Sequence, residues 1–197
     1  FRTERRRRSR IPKSQRMRTL VYFGLVGIAF LFVEIAWIQR LQLYLGHPVY
    51  ATTAVLVSFL VFAGLGSLWS QSLPHVRPQG LLLRATLIIA LVSLAYIAFL
   101  PSWLNAVADL PLVFRGSLAL VLLAPLAFAM GIPFPVGLRA LGNASDPLIP
   151  WAWGINGVAS VISAAAAPLL AMEIGLSGLI GVAVIAYLGL PAIHFDH

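Results

Sequence analysis

The sequence has no cysteine and very little charge. Charged residues make up 10 % of its 197 positions, against 60 % hydrophobic residues. Without cysteine there are no disulfides, no thiolate metal ligands and no thiol nucleophile. Without charge there is nothing to coat a water-facing surface, where a soluble domain carries about 25 % charged residues. Catalytic signatures are missing too. No G-x-x-x-x-G-K-[ST] phosphate loop, G-x-G-x-x-G turn, G-x-S-x-G elbow or H-E-x-x-H pair occurs, and no apolar run holds two carboxylates. Nothing in these residues calls for a cofactor, a metal or an active site of the chain's own.

What is present is apolar sequence in runs close to the length that crosses roughly 30 Å of hydrocarbon. Six spans are predicted: Leu20–Ile38, Tyr50–Trp69, Leu82–Leu100, Leu112–Ile132, Trp151–Met172 and Leu176–Ile193. The fold class is therefore an all-α integral membrane protein, with about six transmembrane helices in one bundle (residues 19–197). Ahead of it stands a polybasic arm, residues 1–18, FRTERRRRSRIPKSQRMR.

Nine of the fourteen Lys and Arg residues lie in that arm, beside one acid, Glu4. The net charge of +8 thus belongs to a tail, not to a nucleic-acid-binding face. The plain role of the arm is a solvated, orienting tail. Arg5, Arg6, Arg7 and Arg8 also suit contact with anionic lipid or an acidic partner, at about 1 kcal/mol per residue near an anionic surface. The arm is denser in arginine than a secretory n-region, so no signal peptide is expected. A start at Phe1 points to processing or to a longer polypeptide.

Orientation follows from the same charges. An N-terminus in the cytoplasm puts Arg77, Arg84 and Arg139 with the arm and leaves only Arg40 and Arg115 outside. Six spans return the C-terminus to the cytoplasm. On this reading Asn143-Ala144-Ser145, a glycosylation sequon, lies inside and has no meaning.

Polar groups within the apolar runs are the candidate site. Glu34 stands out, with no acid or base within five residues on either side. A carboxylate in hydrocarbon is expensive and must be protonated, hydrogen-bonded or paired. The plain reading is a packing pair with Asn156, Trp151 or Arg115, and the functional reading is a proton- or cation-handling site. Gln39 sits near the outer end of its span. His47 precedes Pro48, where it suits a helix cap; as a metal ligand it has no partner at ligand spacing. Gly131, Pro133 and Pro135 must break a helix at the membrane edge, which makes either a rigid turn or a broken-helix binding site. Asn156 offers a donor and an acceptor within the bundle, on a segment whose small residues allow close packing.

Four strings also carry a resemblance: YFGLVGIAFLFVEIAWIQRLQLYLGHPVYATTAVL, FAGLGSL, MGIPFPVGLRAL and PWAWGINGVASV. In this order they resemble the membrane region of bacterial spermidine-synthase-like proteins, some of them transporter/spermidine synthase fusions. The resemblance covers most of residues 20–190. It implies a membrane module in a bacterial inner membrane that accompanies a soluble Rossmann-like aminopropyltransferase or methyltransferase-like domain. The catalytic acids and glycines of that domain have no counterpart here. The matched polar positions are Glu34, Gln39, His47, Arg139 and Asn156. GLGSLWSQSLPHVRP is also faintly similar to a loop of major-facilitator transporters, without its acid.

Three functions stay open at this point. The first is a non-catalytic membrane subunit or anchor within a larger membrane complex. The second is a transport-like module for a cationic or amphipathic small molecule, polyamine-like if the family resemblance guides it. The third is the membrane half of a spermidine-synthase-like enzyme.

Overall fold

The computed structural model describes residues 12–73, 75–106, 109–142 and 147–193. The arginine run Arg5–Arg8 and the Asn143-Ala144-Ser145 sequon lie outside them. Among the described residues there is no strand. The helices are α1 (Lys13–Leu45), α2 (Pro48–Gln71), α3 (Pro78–Ala106), α4 (Leu112–Met130), α5 (Pro133–Leu141) and α6 (Ile149–Gly189), which ends in the 3-10 turn Leu190–Ala192.

Among the described residues five helices, not six, are long and apolar enough to cross a membrane. α4 and α5 count together as one of them, Leu112–Leu141. The sequence predicts a fifth and a sixth span, whereas the structure joins both in α6. A straight helix of its 41 residues would be about 60 Å long, twice the hydrocarbon thickness. It is not straight. Gly175 has φ 75° and ψ 165°, a conformation essentially reserved for glycine.

Contacts with α1 show what happens at that residue. Before it, Trp151, Asn156 and Ser160 lie beside Arg16, Phe23 and Gly27, so the two helices run parallel. After it the order reverses. Arg40 donates to Ser177 Oγ at 2.6 Å, and Ile193 shares a cavity wall with Tyr22. α6 is thus a hairpin whose two arms flank α1. α1 is accordingly the core of the bundle, with Tyr22, Phe23, Ala29, Val33, Trp37 and Leu41 fully buried.

Turns follow the local chemistry. Gly46, at φ 73°, ends α1, and its N–H bonds to the Gln42 carbonyl at 3.0 Å. His47 caps α2 by accepting the Val49 N–H at Nδ1, at 3.3 Å. Pro48 and Pro133 each open a helix, where a missing N–H costs nothing. Pro125 stands inside α4, and one turn before it the Leu122 carbonyl accepts from the Tyr96 hydroxyl. Arg115 secures the start of α4 by donating to the Tyr44 carbonyl at 2.7 Å.

Candidate functional site

Two helices of apolar residues in lipid gain little from hydrophobic burial against each other, so close backbone packing must supply the attraction. Glycine provides it at two crossings. A Cβ on Gly131 would collide with the Ala63 backbone, and one on Gly66 with the Phe128 carbonyl. These reciprocal contacts lock α2 to the α4–α5 break. At the second crossing, Gly27 lets α6 come so near that a Cβ there would stand 2.9 Å from Ser160 Oγ and 3.0 Å from Asn156 Nδ2.

Between the two crossings lies a cavity of about 650 Å³. Its floor is one face of α1, carrying Gly27, Phe30, Leu31 and Glu34 at helical spacing. α2 forms one wall with Leu56, Phe59, Leu60 and Ser67. α6 forms the other with Asn156 and Ser160, and Gly131 and Pro135 close one end. The α2 wall carries a π-helical turn, Phe59–Ala63, a distortion that often marks functional sites. α2 and α6 do not pack on each other over any length, and Leu60 on the rim is 81 % exposed. The cavity is therefore a groove, open along the side of the bundle.

Glu34 is only 9 % exposed and faces this groove. Among the described residues it makes no hydrogen bond and no ion pair. Each partner suggested by the sequence is engaged elsewhere. Asn156 Nδ2 donates to the Phe23 carbonyl at 3.1 Å. Arg115 holds Tyr44, and Trp151 lies under the Arg16 guanidinium at 4.1 Å.

Nothing in the family models, curated proteins or solved structures matches the chain.

The groove brings together Glu34, Asn156, Gly131 and Pro135 of the residues singled out in the sequence. Pro133 stands just behind it, with its carbonyl accepting from the Tyr22 hydroxyl at 2.8 Å. Gln39 is half-buried outside the groove, and His47 is exposed at the Gly46 turn. No three His, Cys, Asp or Glu side chains meet among the described residues. Sequence reasoning missed Ser67, Ser160, Gly27 and the π-helical turn. The i, i+4 spacing of Asn156 and Ser160 was the available signal for one of them. The π-helical turn has no signature in FLVFA.

Proposed function

We propose that the chain is a transport-like membrane module that binds a small amphipathic cation in the groove over Glu34. The observation that carries this reading is the carboxyl group itself, which faces an apolar groove and has no partner among the described residues. An ammonium group satisfies it, while the apolar walls accept a hydrocarbon chain, and Asn156, Ser160 and Ser67 supply hydrogen bonds. The side opening suits a ligand that partitions into lipid. The family resemblance narrows the cation to a polyamine-like amine.

The expected topology is six crossings with both termini cytoplasmic in a bacterial inner membrane. Support comes from the hairpin at Gly175, which gives α6 two arms, and from the arginine distribution.

The test is binding of spermidine and of octylamine to the purified chain in lipid nanodiscs. Glu34→Gln keeps the shape and removes the charge, and is expected to weaken binding at least about tenfold, or about 1.4 kcal/mol. Equal affinity for the variant and the parent overturns the reading.

A second reading, a subunit or anchor in a larger complex, is favoured by the outer face of α6. Gly154 and Gly157 are exposed there, with open space where a Cβ would stand, as at a seat for another membrane helix. Partners recovered in fixed ratio from mild detergent support it, and recovery as a lone monomer counts against it. Membership of a spermidine-synthase-like enzyme rests on the four strings alone.

A further inference from the structure

A second cavity, of about 320 Å³, lies beside Tyr22 of α1, bordered by the start of α3, by α5 and by the C-terminal turn. Among the described residues its lining includes Tyr22, Arg77, Gln79, Gly137 and Arg139, and no acid. It is far roomier than the roughly 30 Å³ of one water.

Arg139 makes one hydrogen bond, from Nη1 to the Leu73 carbonyl at 3.0 Å. Its Nε and Nη2 atoms are buried and have no hydrogen-bond partner among the described residues. These two form the side edge of the guanidinium, whose parallel N–H groups match two oxygens of an oxyanion. A buried donor without a partner is costly to keep. Arg77 stands exposed at the same cavity, and its side chain makes no bond among the described residues.

A third source of positive potential is α3. Its first intrahelical bond runs from the Leu81 N–H to the Arg77 carbonyl, which leaves the Gln79 and Gly80 N–H groups ahead of it. A helix N-terminus of this kind favours anions. Two guanidinium groups and a helix end exceed what one carboxylate needs and suit a phosphate.

We propose that Arg139 and Arg77, at the N-terminus of α3, form a binding site for a phosphate group. A lipid headgroup and free phosphate present the same oxygens to it, so the experiment has an arm for each. The full chain is placed in phosphatidylcholine nanodiscs at physiological salt. Inorganic phosphate is added in one arm and phosphatidylglycerol is doped into the bilayer in the other. Thermal stability and retained ligand by native mass spectrometry are read in both.

At least one probe is expected to bind. Arg77→Gln should lower apparent affinity about tenfold, and Arg139→Lys, which loses the paired N–H edge, should do the same. Arg84→Gln removes the same charge from an exposed position of α3 outside the cavity and should change nothing. Binding of the lipid alone identifies a headgroup site, and binding of inorganic phosphate identifies a soluble ligand; either supports the site. Should Arg139→Lys fail to fold, Arg77→Gln decides, because the Arg77 side chain makes no bond among the described residues. Binding of neither probe overturns the proposal, as does an Arg84→Gln loss equal to that of Arg77→Gln, which would mean diffuse surface charge.

Discussion

A carboxyl group surrounded by hydrocarbon is tolerated in three ways: it takes a proton, a cation or a hydrogen-bond donor. Glu34 has no donor among the described residues, which leaves the first two. The residue was legible in the sequence because the apolar run around it makes any charge conspicuous. Its surroundings were not. Arg115, Asn156 and Trp151 were all plausible partners by residue type, and only the tertiary arrangement shows that each is bound elsewhere. Asn156 is expected to matter less to the ligand than Glu34, because its amide already donates to the Phe23 carbonyl. Asn156→Ala should therefore lower thermal stability by roughly 1 kcal/mol, the scale of one intramembrane hydrogen bond. Unfolding in detergent micelles measures it. A loss of amine binding without a loss of stability would assign Asn156 to the ligand instead.

At the scale of elements, the glycines decide which helices touch. Gly131→Ala places a methyl group against the Ala63 backbone, which cannot step aside as a side chain can. The expected cost is about 1–3 kcal/mol, read as a lower unfolding midpoint. Gly157→Ala, with open space around it, should cost far less. Gly175→Ala forces alanine into a conformation nearly exclusive to glycine, at about 1–3 kcal/mol. The helix break expected at Gly131, Pro133 and Pro135 falls at Gly131–Ile132, and both prolines lie in the first turn of α5. The pairing of α1 with α6 was not visible in the sequence. Gly27 and Asn156 stand far apart in the chain, and the hydrophobic period says which face of a helix is apolar, not which neighbour meets it.

For the whole molecule, apolar length made the membrane class legible, and the count of spans was less so. The prediction of six separate helices missed that α6 carries helical structure through Gly175 on both sides, so that a turn expected as a loop is a single residue. Topology is open to a direct check, because the sequence has no cysteine to remove. Single cysteines at Gln71, Asp109, Glu173 and Gly142 can be probed with a membrane-impermeant thiol reagent in intact cells. Labelling at Asp109 and Glu173, and protection at Gln71 and Gly142, is the expected pattern for six crossings with a cytoplasmic N-terminus. Protection of Glu173 from outside would refute the second crossing of α6.

The flanking of α1 by both arms of α6 sets an order of assembly. The hydrogen bond between Asn156 and the Phe23 carbonyl spans 133 positions of the chain. At a synthesis rate of about 5–20 residues per second, α1 waits roughly 7 to 27 s in the bilayer before that partner exists. Throughout this interval α2 and the later helices can reach α1, but the Gly27 face has no α6 against it and is left to lipid or the insertion machinery. Of the described helices, the one made first is the last to be enclosed, and a translocation apparatus that shelters one half-finished helix is what such a chain demands of its host.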